Sequence, residues 1–383
     1  MNMVKQLSRA LGATHTHTTD ESDGWHRLLL TTEPGPPPVL DLLLPPAGTP
    51  LHRIAVLLPG GGLNVRANFG TAHHGRSLAR FLTENGYLVL GITPREDALT
   101  PETEQHGPPC AGWGLAAHRR DAETVLTALP QALGLPYELF GHSAGAALAL
   151  DLAARPTNRA QRVVVLDTTG PYDPQAEPEL ATRAAELATA MDERLTRGEV
   201  LVDPGLKGLF ARAGADPTGD SPFPRPDRPG TVFTHLGLLH YALTHTAELP
   251  GPANWIYHRG HSSGSYAFGA TAADDRFALR HTPLAVWQRV IAELGSGVQP
   301  TALLRDLAAV WGGRGEVHRI DWAAIEAPVV WVNTELGRGD HDLGARLIRA
   351  GGTPVDYRVL PGYGHGDLLW GVDAEHEVWA TLL

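Results

Sequence analysis

The chain has 383 residues, 31 Lys and Arg against 42 Asp and Glu, and a formal net charge of −11. It has no basic excess to neutralise phosphates, so no nucleic-acid partner is expected. The single cysteine, Cys110, excludes an intrachain disulfide framework and a cysteine-rich metal site. No apolar run is long enough to span a membrane, and the start has no apolar signal core, so the expectation is a soluble cytoplasmic protein.

Residues 1–24 are polar and read as a flexible N-terminal segment. Two strands follow, "WHRLLLTTE" (25–33) and "PVLDLLLPPA" (38–47), joined by the turn "PGPPP". "HRIAVLLPGGG" (52–62) is a short apolar run ending in glycines, the pattern of a buried strand feeding a tight loop. A helix over 72–86, a buried strand over 87–94, a loop over 94–113 and a helix over 115–133 come next. "YELFG" (137–141) and "RVVVLD" (162–167) are further strands. This alternation predicts an α/β class with a mostly parallel central sheet covered by helices on both faces.

The alternation stops over residues 173–313, which carry helical stretches between Pro- and Gly-rich pieces. It resumes with "APVVWVN" (327–333), the helix "DLGARLIRAGG" and "PVDYRVLPGYGH" (354–365). The expected division is a core built from 25–172 and 314–383, with 173–313 inserted as a large helical cap, or lid.

Gly141-His142-Ser143-Ala144-Gly145 fits G-x-S-x-G between an apolar strand and the helical run "AALALDLAA". A serine at such a turn exposes its hydroxyl, and glycines on either side leave room for the neighbouring backbone. The free N–H groups of the following helix point at the same place and favour negative charge there. Ser143 is the candidate nucleophile.

With the elbow, the glycine loop after the third strand and a histidine after the last one, the chain resembles the α/β-hydrolase superfamily over about 52–170 and 325–375. The resemblance implies His365, in "LPGYGHGDLLWG", as general base and later general acid. For the triad acid it offers two places. Most members carry it after the strand before the histidine, which here supplies Glu335, Asp340 and Asp342. Some haloalkane dehalogenases and the platelet-activating-factor acetylhydrolases place it one strand earlier, where in "VVVLDTTGPY" Asp167 ends the strand. The "LD" ending is similar to the latter family, although the surrounding sequence is not. Asp167 is the expected acid, with Glu335 and Asp340 as alternatives.

In "LLPGGGLNVRANF" (57–69) three successive glycines allow close approach to a developing oxyanion. The N–H of Gly61 or Gly62 is paired with that of Ala144 as the expected oxyanion hole. A phosphate cradle is a poor rival, because no G-K-[ST] follows. Trp255, Tyr257, Tyr266 and Phe268 are candidate pocket residues. His258 and His261 lack a third ligand at a metal-binding spacing, so neither metal nor cofactor is expected. Cys110 has no elbow and no partnered base.

Taken together, these features predict a serine hydrolase acting on a small-molecule carboxylic ester through a covalent acyl-enzyme. Acyl transfer, thioester, lactone or amide hydrolysis use the same constellation, and carbon–carbon bond cleavage or a non-catalytic binding protein remain alternative classes. The oligomeric state is not legible.

Overall fold

A computed structural model describes residues 3–16, 24–30, 36–71, 75–100 and 109–383. The end of the first expected strand, part of the "PGPPP" turn, the start of the 72–86 helix with His73 and His74, and part of the 94–113 loop lie outside the described residues.

Nine strands form one sheet: β1 (Thr14–Thr16), β2 (Trp25–Leu29), β3 (Val39–Leu43), β4 (Arg53–Leu58), β5 (Tyr87–Thr93), β6 (Tyr137–His142), β7 (Val163–Leu166), β8 (Val329–Thr334) and β9 (Val355–Leu360). Their spatial order is β1-β2-β3-β5-β4-β6-β7-β8-β9. The pairs from β1 to β5 are antiparallel, and every pair from β5 to β9 is parallel. A parallel sheet must be covered on both faces, and the strands show it. Along β4, Ile54, Val56 and Leu58 enter one apolar cluster while Ala55 and Leu57 enter the other. The same alternation separates Val163 and Val165 from Val164 and Leu166 on β7.

Helices α1 (Met3–Leu11), α2 (Leu78–Glu84), α3 (Leu115–Leu133) and α4 (Ala144–Ala153) belong to the first part of the chain. The first helix was not foreseen within the N-terminal segment. Val4 and Leu7 share one helical face, are buried, and seat α1 against α3. β1 then pairs with β2. Two apolar residues at helical spacing are enough to dock a helix, even in a stretch that is polar on average.

Between β7 and β8 the described chain adds no strand to the sheet. It forms α5 (Pro178–Thr196), α6 (Leu206–Ala215), α7 (His235–Thr244), α8 (Leu284–Glu293) and α9 (Thr301–Trp311). Alongside these helices are three two-stranded ladders, which the sequence reading missed. They pair 201–202 with 299–300, 220–224 with 232–234, and 264–267 with 276–279. Helix α10 (Leu343–Ala350) joins β8 to β9.

Candidate active site

β6 ends at His142 and α4 begins at Ala144, leaving Ser143 alone at the junction with φ 55° and ψ −119°. Its N–H bonds Leu166 O at 2.9 Å, which ties the turn to β7. The glycine requirement is steric. A Cβ on Gly141 would lie 2.3 Å from Gly145 O, and one on Gly145 would lie 2.0 Å from Leu58 O. Among the described residues only Ser143 and Asp167 are non-glycine residues at positive φ. Such strain costs on the order of 1–3 kcal/mol and persists where surrounding structure enforces it.

Asp167 follows β7 directly and is fully buried. Its Oδ2 lies 2.5 Å from His365 Nδ1. Its Oδ1 accepts the N–H of Thr334 at 2.6 Å, and its Oδ2 accepts the N–H of Arg338 at 3.2 Å. Both carboxylate oxygens are therefore oriented by the start of the β8–α10 loop. Burial raises Asp167 to about 6, while the Thr334 N–H and the Arg338 charge pull it down. Burial, followed by the positive charge of Arg338 and then by His261, keeps His365 well below an ordinary histidine. Near neutral pH this leaves an ionised carboxylate beside a neutral imidazole, the state a general base requires.

The alternative acids lie elsewhere. Glu335 accepts the N–H of Gly362, and Asp342 pairs with Arg346 at 2.9 Å. Asp340 acts on Tyr357. Ser143 Oγ makes no hydrogen bond among the described residues, so the serine and His365 are not joined directly; catalytic hydrogen bonds often tighten only with substrate bound.

A chain of side chains that the sequence reading passed over links the glycine loop to the histidine. Gly60 N–H donates to Asn68 Oδ1 at 2.8 Å, and the Asn68 amide meets His142 Nδ1 at 3.1 Å. His142 Nε2 reaches the carbonyl of His365 at 3.1 Å, and the two rings lie 4.6 Å apart. Burial and the nearby His365 hold His142 well below its ordinary value, so it serves this chain as a neutral ring. His142 was legible as the second residue of the elbow, but Asn68 had no local signal.

Among the described residues the N–H groups of Gly61, Gly62 and Ala144 donate no hydrogen bond. Gln299 Nε2 holds the Gly61 carbonyl at 3.3 Å. Beside these groups lies a cavity of about 30 Å³, lined by Gly60, Gly61, Ala144, Gly145 and Leu148 and bordered by Glu96 and His118.

The segment around 257–263 runs between the β8–α10 loop, which begins with the N–H groups that hold Asp167, and the loop that carries His365. His258 N–H donates to Gly337 O at 2.8 Å and Gly260 N–H to Leu336 O at 2.9 Å. In return, His365 N–H donates to Gly260 O at 3.1 Å and Gly366 N–H to His261 O at 2.7 Å. Buried Asp367 accepts from Ser263 N, Gly364 N and Thr282 Oγ1. Of the expected pocket aromatics, Tyr257 stands 5.1 Å from the His365 ring. Trp255 contacts Tyr172, while Tyr266 and Phe268 pack with Phe233 and Tyr241.

His258 and His261 separate. His258 Nε2 meets His341 Nε2 at 3.0 Å, and His341 Nδ1 pairs with Glu177. His261 lies 5.8 Å from the His365 ring. No group of three metal-ligating side chains gathers among the described residues, and Cys110 is buried.

The sheet order and the strand–serine–helix turn define the α/β-hydrolase fold, and this chain has it. Residues 115–216 match the thioesterase domain family. A candidate lipase from Sulfolobus solfataricus superposes with a TM-score of 0.60 at 17% identity, covering 94% of this chain and 92% of its own. A soluble variant of the Saccharomyces cerevisiae monoglyceride lipase superposes at 0.52 with 14% identity, covering 96% and 92%. A thermostable carboxyl esterase of Bacillus coagulans does so at 0.50 with 14% identity, covering 97% and 94%. No curated protein matches the sequence. No described helix is long and apolar enough to cross a membrane.

Proposed function

We propose that the chain is a serine-dependent hydrolase of carboxylic esters. Ser143 Oγ attacks the ester carbonyl as His365 takes its proton, and Asp167 holds the imidazole by Nδ1 and stabilises the imidazolium that forms. The N–H of Ala144 and that of Gly61 or Gly62 bind the oxyanion. His365 returns the proton to the leaving alcohol, then activates water to release the acid. The observation that carries this reading is the 2.5 Å contact of His365 with Asp167, two loops away from a serine strained at φ 55°. In this reading 173–313 is a cap over a core of 25–172 and 314–383. Its 257–263 segment forms one wall of the site.

The test is intact-mass spectrometry after treatment with a fluorophosphonate, on wild type and Ser143→Ala, with peptide mapping. One stoichiometric adduct on Ser143, absent from the variant, is expected. An adduct elsewhere, or none on folded protein with either a bulky or a small probe, would overturn the reading.

The match of 115–216 to the thioesterase domain family favours thioesters as a second substrate class. Comparing an oxygen ester with a thioester of the same acyl group separates the two, with the higher kcat/KM naming the class.

A further inference from the structure

Arg338 lies beside this site without a side-chain ion pair, since the buried carboxylate that feels its charge, Asp167, is bonded to His365. The residue is 3% exposed, and its guanidinium Nε and Nη1 are buried without a hydrogen-bond partner. Only its main-chain N–H serves Asp167. No carboxylate forms an ion pair with its side chain among the described residues. Arg225 is also buried, and its Nε and Nη1 also lack a hydrogen-bond partner, but it forms ion pairs with Asp227 and Asp275, which Arg338 does not. An arginine cannot shed its proton, so a buried one without an anion carries a large desolvation cost.

The surroundings of Arg338 supply rings and donors. Its guanidinium carbon lies 5.2 Å from the Tyr257 ring centre and 5.0 Å from that of Trp311. Cation–π contacts of this kind offset only part of the cost. The Trp311 indole N–H and the Thr168 hydroxyl are also buried and unpartnered. Thr168 directly follows Asp167 in the chain, and Tyr257 touches both Arg338 and the His365 ring. Guanidinium and indole can only donate. A cluster with unpartnered guanidinium and indole donors and one fixed positive charge, in which the Thr168 hydroxyl can donate as well as accept, is complementary to a small anion.

We propose that Arg338, with the Trp311 indole, forms an anion subsite for a carboxylate carried by the substrate, on its acyl or its alcohol part. The inference rests on the ester-hydrolase reading above and narrows its substrate class to acidic esters. A carboxylate matches the planar two-donor face of a guanidinium and brings one charge to one charge. A phosphate dianion would leave an excess negative charge between two aromatic rings. A site built to hydrogen-bond a group discriminates strongly against the analogue that lacks it, because its own donors are then left unpaired.

Three matched pairs of compounds test the proposal on wild type, Arg338→Lys and Arg338→Met. The first sets mono-p-nitrophenyl glutarate against p-nitrophenyl butyrate, and the second sets 4-carboxyphenyl butyrate against phenyl butyrate. Wild type is expected to favour the acid of at least one pair by about 10- to 100-fold in kcat/KM. The pair that responds shows which part of the substrate carries the charge. The preference should shrink in Arg338→Lys and vanish in Arg338→Met. The third pair needs no turnover: glutarate against butyramide, titrated calorimetrically into folded Ser143→Ala with and without Arg338→Met. Glutarate alone should bind, and only where Arg338 is present. A wild-type preference for neutral esters overturns the proposal. So does an equal loss on acidic and neutral esters in the variants, which would make Arg338 a support for the triad alone. If Arg338→Met does not fold, the Lys variant and the Ser143→Ala titration decide. If no ester turns over while glutarate binds through Arg338, the hydrolase reading fails and the anion site stands.

Discussion

Two histidine–carboxylate pairs, His365–Asp167 buried and His118–Glu96 with its histidine partly buried, flank the start of α4, and they are opposites. His365 and Asp167 meet at 2.5 Å beside the elbow. His118 Nε2 meets Glu96 at 3.0 Å across the small cavity from Ala144 and Gly145. In both, burial disfavours the imidazolium, yet the outcomes diverge. The further charges around His365 are Arg338 and His261, which keep it well below the ordinary range. Around His118, burial is outweighed by Glu96, helped by the Gly114 carbonyl and Asp121, and it is raised to about 9. The carboxylate partner alone therefore does not decide whether a buried imidazole is a base or a fixed cation. Burial and the surrounding charges act with it.

The largest expected break of this comparison is functional. His365→Gln should lower kcat/KM on an activated ester by about 10⁴-fold or more, whereas His118→Gln should change it by no more than a few-fold. Comparable losses in both variants would mean that the pairs share a role. Asp167→Asn should cost about 10³–10⁴-fold in kcat, because the imidazole loses the partner that fixes its tautomer. If Glu335→Gln or Asp340→Asn costs more than Asp167→Asn, the acid has been assigned to the wrong loop.

A finer test concerns pH. Activity needs Asp167 ionised, so it should be present above about pH 6 and fall as pH drops through that value. Arg338 lowers both Asp167 and His365. Arg338→Met should therefore move the acid limb of kcat/KM to higher pH, and a limb that moves down or stays fixed would show that its charge does not reach the pair. The smallest effect is on stability. His118 is raised from 6.5 to about 9, so its contribution is full below about 6.5 and lost as pH rises through about 9. That contribution is at most about 3 kcal/mol. Urea unfolding of wild type between pH 6 and 10 should show the loss, and His118→Gln should lack it.

Much of the core was readable because its signals are local. The runs 53–58, 137–142 and 163–166 are short, mostly apolar strands, and Gly141 and Gly145 mark a turn that no other residue could fit. Asp167 could be proposed because it ends a buried strand, where an unpaired carboxylate is costly. What was missed depends on distant contacts. Asn68 lies 74 residues from His142, and Arg338 lies 81 positions from Tyr257, so neither pairing leaves a trace in spacing. The ladders within 173–313 are two to five residues long, below what alternation can reveal. Helix α1 was hidden by averaging, since its buried face is only Val4 and Leu7.

The threading of 257–263 between the β8–α10 loop and the His365 loop bears on how such a protein can change its substrates. An insertion attached only at its two ends could be exchanged between relatives as a cassette. Here the backbone of His258 and Gly260 holds the Gly337 and Leu336 carbonyls, and Gly260 and His261 receive the N–H groups of His365 and Gly366. Exchanging 173–313 whole would strip those bonds from the β8–α10 loop that holds Asp167 and from the loop that carries His365. New specificity on this scaffold is therefore expected to come by single substitutions along the walls of the site, with the insertion and the sheet evolving as one piece.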